Sequence, residues 1–288
     1  MASGNLRDIK RRIRSVNSTE HITNAMKLVS TAKLRKAKST FERTREYFHY
    51  ITESIEEIFN NTTDIPQKYL SGNREIKNTC YIIITSCRGL CGGFNSNIIK
   101  VAQKAMSNDN EKSVIIAVGT KGRDYFRKRS YNIQGEYSAP PESISFMETR
   151  EISKPIIEMY DSGEIDEVVM IYTSFVSTME QQVKTVTLLP FNIENDPEVM
   201  KVEKMVDYEP SVEEVFNYLV PKYVEIMIYG AIVESATCEH AARRIAMESA
   251  TDNARDMLSD LSLFYNRARQ ASITREICEI VAGSEAQK

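Results

Sequence analysis

From residue 247 onward, apolar side chains return every three and four positions without a break: Met247, Ala250, Ala254, Met257, Leu261, Phe264, Ala268 and Ala271. That spacing puts them on one stripe of a helix and calls for a partner helix. The stripe is rich in alanine, so the predicted partner can approach closely. The helical pattern covers residues 211–282, about 108 Å at 1.5 Å per residue. An element of that length suits a shaft better than a substrate pocket.

A second long pattern runs from Asn5 to Phe59, roughly 80 Å at the same rise. Ile9, Ile13 and Val16 begin its stripe, and Phe41, Thr44, Phe48, Ile51, Ile55 and Ile58 continue it. Asn60 through Gly72 is rich in breakers and reads as a linker. The middle third differs. Apolar runs at Cys80–Thr85, Val114–Gly119 and Glu167–Thr173 read as buried strands, and Gln182–Leu189 alternates as another. Between them lie helical stretches at Asn95–Met106, Lys121–Lys128 and Glu151–Tyr160. Buried strands alternating with helices predict a small α/β unit with a largely parallel sheet. Ser211 and Glu214 have capping-box spacing and mark the start of the terminal helix. Pro221 should kink or interrupt its first turns. The predicted fold is therefore α/β: a long antiparallel coiled coil of N- and C-terminal helices (1–60 and 210–288) flanking a Rossmann-like α/β domain (73–209). The helices must run antiparallel because the insert returns the chain near its point of departure.

Charge changes this picture in one place. The 288 residues carry a net charge of −3, yet residues 1–50 hold twelve Lys or Arg against four Asp or Glu. An acidic partner, nucleic acid or anionic lipid would suit that segment, as would a merely solvated helix face. No apolar run is long enough to span a bilayer, and the N-terminal residues lack a signal-peptide core. Five cysteines form no C-x-x-C pair, which points to a reduced compartment and against a zinc site.

The glycine turn Arg88-Gly-Leu-Cys-Gly-Gly-Phe94 lies between a strand and a helix, where α/β proteins often bind phosphates. Its spacing is G-x-x-G-G rather than G-x-G-x-x-G, and no G-K-[ST] follows. A tight turn that allows close backbone approach is the better reading, and Gly119-Thr-Lys-Gly122 is another. His21, His49 and His240 have no triad-like neighbours in the sequence and read as surface or helix-packing residues. The run Lys33–Lys38 lacks interleaved aromatics, so carboxylate-rich protein is favoured over nucleic acid as its partner. Arg267, Arg269 and Gln270 are large donors beside small seam residues, either surface charges or a grip on a partner's carboxylates. Three classes of protein remain open at this point: a nucleotide-dependent enzyme, a DNA-associated coiled-coil protein with a hinge domain, and a shaft gripped by protein partners.

Three longer motifs carry a resemblance. They are I-x-S-V-x-S-T-x-x-I-T-x-A-M-K-L-V at Ile13–Val29, R-G-L-C-G-G at Arg88–Gly93, and A-T-D-N-A…Y-N-R-A-R-Q-A-S-I-T-x-E-I-x-E-I-V-A-G across Ala250–Gly283. In order and separation they make the chain resemble, end to end, the gamma subunits of F-type ATP synthases. The resemblance implies a central-stalk rotor whose coiled coil stands inside a hexamer of three alpha and three beta subunits. Its foot would contact the epsilon subunit and the c-subunit ring, and ion flow through that ring would turn it. Catalysis would belong to the hexamer, with no catalytic residue, cofactor or metal in this chain and no nucleic acid partner. Carried over by motif, Arg267, Arg269 and Gln270 would meet the catch loop of a beta subunit. Met26 and Lys27 would pass the acidic lever segment of beta, and Arg88 would lie at the base of the hexamer. Two residues depart from the family pattern: Cys87 stands where Asp is usual, and Ser284 where Ala is usual. No cysteine-bearing insertion like that of chloroplast relatives is present, and the resemblance implies peripheral attachment at the cytoplasmic face of a bacterial membrane.

Overall fold

The computed structural model describes residues 2–62, 66–70, 76–106, 112–191, 209 and 211–285. Its helices are α1 (Ala2–Asn61), α2 (Phe94–Met106), α3 (Thr120–Arg127), α4 (Phe146–Ser162) and α5 (Val212–Glu285). Its strands are β1 (Thr79–Ile84), β2 (Ser113–Val118), β3 (Ile133–Tyr137), β4 (Glu167–Phe175) and β5 (Gln181–Leu189). Two 3-10 turns, Gln67–Tyr69 and Pro141–Ser143, complete the list among the described residues. The fold is α/β, with two long terminal helices flanking a Rossmann-like domain. By contacts the chain forms two compact units, Met1–Thr31 with Arg243–Lys288, and Ala32–Ala242.

In the larger unit the sheet order is β3-β2-β1-β4-β5. All pairs are parallel except β4 with β5, which is antiparallel. Strands β1, β2 and β4 are covered on both faces, which is why they read as unbroken apolar runs. On one face Ile82, Ile84, Ile116 and Met170 pack against Ile152 and Ile156 of α4 and against Phe216, Val224 and Ile232 of α5. On the other, Ile83, Ile115 and Ile171 pack against Ile98 and Met106 of α2 and Phe126 of α3. Strand β3 is an addition to the predicted set. Its sequence Ile-Gln-Gly-Glu-Tyr alternates half-buried and exposed positions at the sheet edge, so it has no apolar run to betray it.

Local signals at the helix ends have visible causes. Ser211 Oγ accepts the Glu214 amide at 3.2 Å, the first half of the capping box expected there. Ser145 and Glu148 make a complete box at the start of α4. Pro221 does not interrupt α5, which runs unbroken from Val212 to Glu285. The ring removes a single amide donor. The buried side chains Phe216, Val220 and Val224 around it hold that stretch against the sheet. Within the predicted linker, Tyr69 is buried, stacks on Tyr160 and donates its hydroxyl to Asn217 at 3.1 Å.

In the smaller unit, α1 and α5 pair antiparallel. Thr23 and Thr251 join hydroxyls at 2.9 Å, and Arg255 meets Glu20 at 3.1 Å, so residue numbers fall along one helix as they rise along the other. On α1 the inward positions include Ile9, Ile13 and Val16 of the predicted stripe, and Glu20 and Thr23 extend it. In the larger unit Phe41, Thr44, Ile51 and Ile58 of the same helix are half-buried, while the side chains of Phe48 and Ile55 lie outside those described. On α5 the predicted seam holds at Met247, Ala250, Ala254, Leu261 and Ala268 and fails at Met257, Phe264 and Ala271. The side chains turned inward are Met247, Ala250, Thr251, Ala254, Leu258, Leu261, Tyr265, Ala268 and Ser272. Met257 and Phe264 instead point out, 57% and 62% exposed. Tyr265 and Ser272 are amphipathic or polar, so a purely apolar count passes over them to the neighbouring Phe264 and Ala271. The buried hydroxyl of Thr251 reaches the Met247 carbonyl at 2.7 Å, which removes the cost of placing it in the seam.

Candidate partner-binding surface

The crevice beyond the carboxyl ends of the strands is where open α/β sheets usually take ligands. Here it is occupied by the chain itself. Ser86, after β1, donates its amide to Asn95 Oδ1 at 2.9 Å, and Asn95 Nδ2 returns a bond to Ser86 Oγ at 2.7 Å. Asn95 Nδ2 also lies 3.2 Å from Cys91 Sγ. Asn95 thus ties the start of α2 to the loop that follows β1. Leu90 and Gly92 adopt left-handed φ of 61° and 57° to bring the chain round. Cys87, in the position of the usual Asp, donates its thiol to the Ser138 and Ala139 carbonyls at 3.3 and 3.5 Å. Two carbonyl acceptors suit a thiol donor and would repel a carboxylate.

The predicted contact residues lie in both units. In the smaller unit Arg267, Arg269 and Gln270 are exposed, and neither arginine enters an ion pair among the described residues. Met26 and Lys27 are half-buried there. Thr23 touches Thr251 and the helices run antiparallel, so Met26 and Lys27 lie level with a point about twenty residues before Arg267, which separates the two clusters by roughly 30 Å along the helix. They form two stations along one helix pair, not a single site. Arg88 is exposed in the larger unit, on the glycine turn. Outward-facing apolar residues add to the surface of the smaller unit: Ile22, Leu28, Val29, Met257, Leu263 and Phe264. Near the end of α5, Ile273, Ile277 and Ile280 are exposed at helical spacing. Exposed apolar side chains grouped in this way offer a candidate surface for protein contact. Met257 and Phe264 belong to that surface, although their spacing alone assigns them to the seam.

Several charged groups of the larger unit are tied internally. Lys33 pairs with Glu142 at 2.9 Å and Lys38 lies 3.6 Å from Glu42, so part of the basic run has its acidic partners within the chain. Burial works against the Glu142 charge. The Lys33 hydrogen bond and the facing His240 outweigh it and hold the carboxyl below its usual range. His240 is buried, 3.8 Å from Glu142, beside a cavity of about 240 Å³ lined also by Lys36, Ile144, Tyr229 and Val233. His21 is exposed near Glu20, and the His49 side chain lies outside those described. Burial pushes the Cys80 thiol up to about 12, which leaves it inert. No group of three or more metal-ligating side chains occurs among the described residues, and no described helix is long and apolar enough to cross a membrane.

An antiparallel helix pair with an inserted α/β domain, a ligand crevice filled by its own chain and an outward face of arginine and apolar side chains define a scaffold that works through partners. Comparison with known proteins is specific. Residues 5–287 match the family described as ATP synthase. The chain is 50% identical to the ATP synthase gamma chain of Alkaliphilus metalliredigens, covering 98% of this chain and 99% of that one. It is 44% identical to the sodium-ion-specific ATP synthase gamma chain of Acetobacterium woodii, over 98% of each. A chain of the Tetrahymena thermophila mitochondrial ATP synthase central stalk and c-ring structure superposes with a TM-score of 0.66 at 26% identity, covering 80% of this chain and 99% of that one. The chain belongs to the ATP synthase gamma-chain family. It is a central-stalk subunit of that complex.

Proposed function

We propose that this chain is the rotor shaft that couples ion flow, of protons or sodium, through a c-subunit ring to conformational cycling of catalytic beta subunits. Its partners are the alpha and beta subunits of the hexamer, an epsilon subunit and the ring, which attaches it peripherally at the cytoplasmic face of a bacterial membrane. The helical segments 1–60 and 210–288 act as the axle and 73–209 as the foot. The observation that carries this reading is the outward face of the antiparallel pair. Exposed Arg267, Arg269 and Gln270 beside exposed Met257 and Phe264 offer bidentate donors and apolar contacts to a surrounding protein. Met26 and Lys27 pass an acidic segment of beta, and Arg88 meets the base of the hexamer.

The shaft does no chemistry. As it turns, each orientation favours a different conformation of the beta subunit it touches, which shifts that subunit's population among its states. Co-expression with alpha and beta subunits tests the reading. The expected result is a stable complex with ATPase activity that the chain alone lacks. Failure to form that complex would overturn it.

A further inference from the structure

Helix α5 changes sides of the sheet. Up to Ile232 its buried residues belong to the face shared with α4, and from Cys238 they belong to the face shared with α2 and α3. The crossing falls over the carboxyl end of β4, where β1 has already ended: the last β1–β4 pair is Ile83 with Ile171, while β4 continues to Phe175. Backbone groups of β4 beyond that pair have no strand beside them on the β1 side. Side chains of α5 take the place of one. Phe175 donates its amide to Glu234 Oε1 at 2.8 Å, and Thr173 donates its amide to Ser235 Oγ at 3.3 Å. Cys238 Sγ donates to the Thr173 carbonyl at 3.5 Å, and Ser174 Oγ donates to Glu234 Oε1 at 2.8 Å. Residues 173 and 175 present their amides to the same side of the strand, so the helix continues the sheet's hydrogen-bond ladder.

We infer that Glu234, Ser235 and Cys238 form the mechanical joint through which force on the α/β domain enters helix α5. Apolar packing resists separation but lets helices slide and rotate at small cost, because it has no direction. Hydrogen bonds to a strand backbone are directional and resist both motions. The site where related folds hold a ligand is thereby converted into an attachment point. Glu234, Ser235 and Cys238 are positioning residues.

The inference rests on the rotor reading, and the test separates the two. In the complete complex, a probe on the α/β domain reports rotation driven by ATP, and its angular fluctuation with the hexamer stalled reports torsional stiffness. Rotation of the wild-type complex checks the rotor reading independently. Glu234→Ala with Ser235→Ala should assemble and rotate, with stiffness reduced about twofold or more because two of the three ties to the β4 backbone are lost. Glu234→Gln, which keeps the acceptor oxygen, should retain wild-type stiffness. Unchanged stiffness in the double variant would overturn the inference. So would an equal loss in Leu188→Ala, a core substitution of the same domain remote from the joint, since that would reduce the effect to general softening. If the double variant fails to assemble, Ser235→Ala alone supplies the same reading, with an unchanged stiffness again counting against the joint.

Discussion

Gly119 stands where β2 turns into α3, with φ at 94° and its amide donated to the Tyr137 carbonyl at 2.8 Å. A Cβ there would overlap the Thr85 carbonyl oxygen, while Thr85 Oγ1 accepts the Gly122 amide at 2.9 Å. Gly119→Ala should therefore lower stability by at least about 2 kcal/mol in urea unfolding, from backbone strain and overpacking together. A loss under about 0.5 kcal/mol, within the range of ordinary surface changes, would show that the turn can relax. Glu142 allows a pH test. Its folded-state pKa is depressed from 4.5, so its contribution is complete above that pH and is lost as pH falls through the folded value. The stability gap between wild type and Glu142→Gln should be below about 1 kcal/mol at neutral pH, given the solvent screening of Lys33, and should close under acid conditions. A gap that widened on acidification would reverse the assigned sign.

At the level of elements, the strands buried on both faces were legible because nothing but an apolar run fits there. The edge strand β3, whose Gly135 and alternating pattern carry no such run, was not. Both long helices were legible from period alone, but the face of α5 was not. Periodicity locates a stripe to within one position, and the choice between Met257 and Leu258 depends on the partner helix. Amphipathic Tyr265 and polar Ser272 hid the true line. That choice is testable in the chain itself: Leu258→Ala should destabilise the helix pair by about 1–2 kcal/mol, the low end of large-to-small costs for a half-buried site. Met257→Ala should change it by less than about 0.5 kcal/mol. Equal effects would restore the apolar heptad as the seam. The candidate contact residues were named on a different ground. Arg267, Arg269 and Gln270 occur in a long motif, and motif matching does not need the face to be known.

On the scale of the whole molecule, the proposed function uses the side of the helix pair opposite to the one that folding buries. Small inward residues such as Thr23, Thr251 and Ala254 bring the backbones together, and the outward arginines and apolar residues are left exposed. Arg269→Ala with Gln270→Ala should hence leave folding stability within about 0.5 kcal/mol, yet reduce ATP turnover of the assembled complex severalfold. Unchanged turnover would leave both as ordinary surface groups. The most direct measurement is single-molecule rotation: a hexamer of alpha and beta subunits fixed to a surface, this chain bound at its centre, and a probe attached to the α/β domain. A rotor shaft gives unidirectional, stepwise rotation on addition of ATP that stops when ATP is removed. An assembled complex that hydrolyses ATP while the probe shows no directed rotation would contradict it.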